Sequence, residues 1–174
     1  LKLNPVGVLL FCVKSNSSMS KITLKAGDKA PNFSGTIQTG ENVSLSDYKG
    51  KKLILFFYPK DNTPGCTAEA CNLRDHYQEL KDKGFELLAV SPDSEKKHKN
   101  FINKYELPFP LLADTEKATL NAYGAWGPKS MYGKLFDGVY RSTFVIDEEG
   151  VIEKVIAKVK TKTHAEQILA EMEA

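Results

Sequence analysis

Cysteine is scarce in this chain: three in 174 residues, an odd count and too few for the disulfide framework that holds a small secreted domain together. The expectation is therefore a reducing, cytoplasmic compartment. A run of apolar residues long enough for a bilayer is also missing, since a crossing needs ~20 and the mostly apolar stretch Pro5 to Val13 has nine. Neither sign of charge dominates. Twenty-four basic and 22 acidic side chains leave a formal +2, interspersed rather than blocked, which gives no argument for nucleic acid. Internal repeats, low-complexity tracts and long linkers are absent, so solenoids and strings of domains are excluded. Nucleotide and hydrolase signatures are lacking as well. There is no G-x-G-x-x-G and no G-x-S-x-G, and "GPKSMYGKL" has one residue too many between its glycines and a leucine where a phosphate loop needs Ser or Thr.

What remains is a chain the size of one domain, with 41% hydrophobic and 26% charged residues, near globular averages. Residues 1–18 read as an extension outside the working domain. Met19 opens "MSKITLKAGDKAPNF" like a natural start, and the segment before it has a single upstream lysine, Lys2, and no small-x-small cleavage site. Cys12 is excluded from the chemistry on that ground, and residues 19–174 form the expected single domain.

Strand and helix signals alternate along it. Leu53 to Tyr58 is a continuous apolar run of the kind a strand covered on both faces shows. Leu73, Tyr77 and Leu80 have helical spacing within Ala68 to Lys83, and Gly84 stands where a helix would stop. "FELLAVS" is a second buried strand, residues 94–106 a charged helix, residues 109–114 a strand or its remnant, and Thr115 to Tyr123 a short helix. Two β-rich runs flank a turn at Glu148, Glu149 and Gly150, which predicts a hairpin, and Thr163 with Glu166 predicts a capping box on a C-terminal helix. The order implies an α/β fold with a mixed central β-sheet flanked by helices, the arrangement of a thioredoxin-like fold with an insertion.

The chemistry concentrates in "YPKDNTPGCTAEAC", residues 58–71. Thr63 suits an N-cap and Pro64 the first helical position, which puts Cys66 at about the third. A thiolate there meets backbone amides that lack intrahelical partners and the positive end of the helix dipole. The consequence is a more nucleophilic sulfur. Residues five apart on an intact helix lie about 8.6 Å apart between Cα atoms, beyond the ~7 Å a disulfide spans without backbone movement. A bond between Cys66 and Cys71 therefore requires the first turns to unwind. The residues alone leave two readings open, buried small hydrophobes or a nucleophile with a partner. A metal site does not fit, because Cys66, Cys71 and His76 point in three directions around the helix.

"PKDNTPGCT" resembles the peroxidatic signature of peroxiredoxins, P-x-x-x-T-x-x-C, here Pro59, Thr63 and Cys66. The fuller "TPGCTAEACNLRD", "WGPKSMYGK" and "YRSTFVIDEEGVI" resemble the bacterioferritin-comigratory, or PrxQ, subfamily, in order and over nearly everything from Lys25 onward. The resemblance implies a thioredoxin-like fold and a monomeric, thioredoxin-dependent thiol peroxidase that reduces hydrogen peroxide and organic hydroperoxides in antioxidant defence, without metal or organic cofactor. It implies that Cys66 is the peroxidatic cysteine and Cys71 the resolving one. Thr63 would hydrogen-bond the thiolate and peroxide, Pro59 shield the pocket, Arg141 lie near the sulfur and Glu69 orient that arginine. A general disulfide oxidoreductase is one rival, although such enzymes usually carry Cys-x-x-Cys. A peroxide sensor or redox-regulated binding module is the other.

Among the remaining candidates, Arg141 taken alone reads as a surface residue at the start of a strand. His76, His98 and His164, set among charged neighbours on predicted helices, are expected in solvent. Trp126 and Tyr132 are expected in a glycine-rich loop, and "DSEKKHKN" as a wet helix face.

Overall fold

The structure, a computed structural model, describes residues 22–174. The expectations for residues 1–18 and for Cys12 lie outside that range. A short hairpin of β1 (Ser34–Thr36) and β2 (Asn42–Ser44) leads through a 3-10 turn at Leu45–Tyr48 into β3 (Lys52–Phe57). Then come α1 (Pro64–Asp75), α2 (Tyr77–Asp82), β4 (Phe85–Ser91), α3 (Glu95–Tyr105), β5 (Leu111–Ala113) and α4 (Ala118–Ala122). A second hairpin, β6 (Trp126–Met131) and β7 (Lys134–Val139), precedes β8 (Ser142–Ile146), β9 (Ile152–Ile156) and α5 (His164–Glu173).

Five strands form the central sheet in the order β5, β4, β3, β8, β9. It is mixed as expected: β3, β4 and β5 run parallel, while β8 is antiparallel to β3 and β9 to β8. The unbroken apolar run in β3 is explained by its central place. Ile54, Phe56 and Tyr58 enter one core with Leu73, Leu80, Phe101, Ala165 and Ile168, from α1, α2, α3 and α5. Leu53, Leu55 and Phe57 enter the other, with Phe33, Leu120 and Tyr123. Alternation at a period of two thus loads both faces of one strand. Among the described residues no helix is long and apolar enough to cross a membrane.

Three sequence expectations are corrected. The helix read over Ala68 to Lys83 breaks at His76, whose Nδ1 lies 2.9 Å from the Asn72 carbonyl; a side chain set into the ladder is a recognised cause of a kink. Gly84, at φ 88°, closes α2 as expected. The capping box at Thr163 does not form. Thr163 makes no side-chain cap bond, and Asn72 of α1 caps α5 instead, its Oδ1 accepting from Ala165 N at 2.7 Å. The glycine-rich loop at Trp126 to Tyr132 is a strand and a hairpin tip, with Tyr132 97% exposed at φ 51°.

Candidate active site

Cys66 is the third residue of α1, directly behind the C-terminal end of β3. Thr63 holds the N-cap position in extended conformation and Pro64 starts the helix, so Cys66 belongs to the first turn, whose amides lack intrahelical partners. Cys66 is 2% exposed and packs with Phe56, Tyr58 and Ala70. An apolar wall thus faces one side of the thiol and a polar group the other.

That polar group arrives through strand register. Phe57 of β3 pairs with Ser142 of β8, which sets Arg141, the residue before β8, beside the turn where α1 begins. Arg141 Nη2 donates to Cys66 Sγ at 3.1 Å and Nη1 donates to Glu69 Oε2. Burial lowers the Arg141 pKa, but the charges of Glu69 and Cys66 outweigh it and leave the guanidinium held more firmly in its charged form. Gly65 makes room for this approach, since a Cβ there would lie 3.3 Å from Arg141 Nη2. Glu69, one turn after Cys66 and fully buried, is pushed up to about 7 by burial, against the pull of Arg141. A second cation stands near: Lys129 of β6 donates to the Val139 carbonyl at 3.0 Å, and burial, then the charge of Arg141, lower its pKa against the attraction of Cys66.

The structure therefore brings together Cys66, Arg141 and Glu69. Cys71 sits half-buried on the same helix, and both described cysteines are free thiols. Pro59 is half-buried just after β3. Thr63 differs from expectation in its side chain, since its hydroxyl donates to the Lys60 carbonyl at 2.8 Å and makes no cap bond. A donor role toward peroxide requires that hydroxyl to turn.

Sequence reasoning missed the support beneath the loop. Asp61 Oδ1 accepts from the Tyr58 hydroxyl at 2.5 Å, Asp61 Oδ2 lies 2.7 Å from His98 Nδ1, and His98 Nε2 lies 3.1 Å from the Leu112 carbonyl. All three side chains are buried. Burial, then Asp61, raise the Tyr58 pKa well above its ordinary range, which keeps its hydroxyl a donor. His98 and His164, expected in solvent, are both fully buried; only His76 is partly exposed, paired with Glu166 at 3.1 Å. The missed signal is phase. His98 lies three residues before Phe101, and His164 four before Ile168, on the faces those apolar residues bury.

Residues 26–155 match the AhpC/TSA family. The chain belongs to that family. A putative peroxiredoxin bcp of Coxiella burnetii is 46% identical over 151 residues, 87% of this chain and all of that protein. Among solved structures, PrxQ of Xylella fastidiosa superposes with a TM-score of 0.80 at 32% identity, over 86% of this chain and 96% of that one. The bacterioferritin comigratory protein of Xanthomonas campestris, whose structures address alkyl peroxide reduction activity, superposes with a TM-score of 0.76 at 36% identity, over 81% of this chain and 90% of that one. Family membership and the thioredoxin-like peroxiredoxin fold are thus common to the sequence resemblance and the three-dimensional match.

Proposed function

We propose that the protein is a thiol peroxidase in which Cys66 reduces hydrogen peroxide and alkyl hydroperoxides. The observation that carries this reading is the buried Cys66 sulfur at the N-terminal turn of α1, 3.1 Å from Arg141 Nη2. The thiolate attacks one peroxide oxygen, the O–O bond breaks, and the other oxygen leaves as water or an alcohol once protonated. Charge growing on that oxygen faces the guanidinium, the first-turn amides and, after its hydroxyl turns from Lys60, Thr63. Pro59 shields the loop side. Cys66 becomes a sulfenic acid, Cys71 displaces its oxygen as water to form the disulfide, and an external dithiol such as thioredoxin restores both thiols.

A cytoplasmic location, where thiols are kept reduced, and a monomeric state belong to the same proposal. A general disulfide oxidoreductase fits less well, because the two thiols share an intact helix five residues apart. The deciding experiment mixes reduced protein with one equivalent of hydrogen peroxide and maps the product by non-reducing peptide mass spectrometry. A rapid Cys66 to Cys71 bridge is expected. Cys66 oxidised without Cys71 would assign another resolver, and Cys66 left as a thiol would sink the peroxidase reading.

A further inference from the structure

Beneath the guanidinium lies an atom the mechanism does not account for. Glu69 Oε1 is buried without a hydrogen-bond partner, the single such side-chain atom among the described residues. His164 Nε2 lies 3.7 Å from it, beyond hydrogen-bond distance.

A chain of donors and acceptors explains why that neighbour gives it nothing. The Gln167 amide donates to the Lys158 carbonyl at 2.9 Å, and its Oε1 accepts from Lys160 N at 2.9 Å. This orientation turns Gln167 Oε1 toward His164 Nδ1 at 3.0 Å, so Nδ1 must carry the proton. Burial, helped by the charge of Arg141 and opposed by Gln167, lowers the His164 pKa to about 4, and the ring is neutral. Its Nε2 is then bare and accepts the Thr143 hydroxyl at 2.6 Å. It has no proton for Glu69.

We propose that His164 is a positioning residue: with its bare Nε2 engaged by the Thr143 hydroxyl, it offers Glu69 Oε1 no hydrogen-bond donor to support a carboxylate, and Glu69, once protonated, yields the charge of Arg141 to the Cys66 thiolate. The inference rests on Cys66 being the reactive thiol. The charged and titratable groups facing Glu69 are Arg141 from the segment before β8, His164 from α5 and Cys66 from its own helix, with Lys129 of β6 beyond. When Glu69 is ionised, carboxylate and thiolate compete for one guanidinium and repel each other. When Glu69 is protonated, the thiolate is the one anion left on Arg141.

The test follows alkylation of the Cys66 peptide by iodoacetamide between about pH 5 and pH 9. It compares wild type, Glu69→Gln, Thr143→Val and the double variant. The wild-type profile should contain a step near pH 7 from Glu69, absent in Glu69→Gln. In Thr143→Val the His164 Nε2 is free to accept the proton of neutral Glu69. The step should move up by about half a pH unit, roughly threefold in protonated-to-ionised ratio, and the shift should vanish in the double variant. A Thr143→Val profile that superposes on wild type, or a shift that survives without Glu69, overturns the proposal.

Nitrogen NMR of the wild-type imidazoles gives a second, mutation-free test. His164 should show a protonated Nδ1 and a bare Nε2 through neutral pH, and a protonated Nε2 overturns the proposal. Neither readout needs peroxide. A protein that keeps both signatures but reduces no peroxide would overturn the proposed function and leave this inference standing.

Discussion

The two halves of α1 carry the two cysteines and are fastened to the rest of the molecule by different physics. In the N-terminal half, Cys66 and Glu69 are buried and bound to one guanidinium from the segment before β8. In the C-terminal half, Cys71 is half-buried, and the residue after it, Asn72, is tied to α5 by part-buried and exposed hydrogen bonds. Its Oδ1 caps Ala165, its Nδ2 donates to Glu166 Oε2 at 3.1 Å, and His76 reaches the other Glu166 oxygen. Breaking a buried ionic contact costs about 3–5 kcal/mol, whereas an exposed pair contributes about 0–1 and a cap about 1. On the proposed function, the polar contacts that must break to join the thiols are weaker at the Cys71 end, which predicts, against the expectation from sequence that the first turns unwind, that Cys71 moves toward Cys66 while Cys66 keeps its contact with Arg141.

The sharpest way to break the comparison is to remove its stronger member. Cys66→Ser should reduce peroxide turnover to the uncatalysed background, read as peroxide consumption with an excess of dithiol, and retained turnover would move the chemistry elsewhere. Arg141→Met should follow, slowing peroxide reduction by roughly 10²–10³, the usual cost of losing one donor aimed at developing oxygen charge. Stopped-flow measurement of the first turnover isolates that step from disulfide formation. A loss of less than threefold would show that the helix amides alone carry the charge.

The buried half also has a signature in stability. Glu69 sits near 7 in the folded protein against an ordinary 4.5, so between those values the folded state binds more protons than the unfolded one. Its contribution makes stability fall as pH rises from about 4.5 to about 7 and stay level above. Glu69→Gln should remove that fall, so that urea midpoints at pH 5 and pH 8 lie closer together than in wild type. An unchanged spacing would mean that Arg141 offsets the burial of the carboxylate in full.

Legibility in the sequence followed the range of each interaction. The strand Leu53 to Tyr58, the helix start at Thr63 and Pro64, the hairpin around Gly150 and the stop at Gly84 are local patterns, and each forms where the residues indicate. Arg141 is different. Nothing near it in sequence points to Cys66, 75 residues away; the pairing of β8 with β3 brings them together, and family resemblance alone put it beside the sulfur. His98 and His164 misled because charged neighbours outweighed phase: Lys97 and Lys99 are exposed while His98 between them points inward. The cap from Asn72 was illegible for a related reason. Thr163 and Glu166 form a local motif, but an acceptor from another helix supplies the bond.

That cap gives the smallest and most selective test. Asn72→Ala leaves Ala165 N without its acceptor and frees Glu166 from α1, which should lower stability by about 1 kcal/mol in urea denaturation. If the Cys71 end opens during resolution, the lost bond no longer has to be broken on the way to the disulfide. Bridge formation after a single peroxide equivalent should then accelerate by up to about fivefold, because 1.4 kcal/mol corresponds to a factor of ten. Attack by Cys66 on peroxide should not change, since Asn72 touches none of its partners. Lower stability with an unchanged rate of bridge formation would reverse the comparison: the bond to α5 would persist through the transition state, and the N-terminal turn holding Cys66 would have to leave Arg141 and come to Cys71 instead.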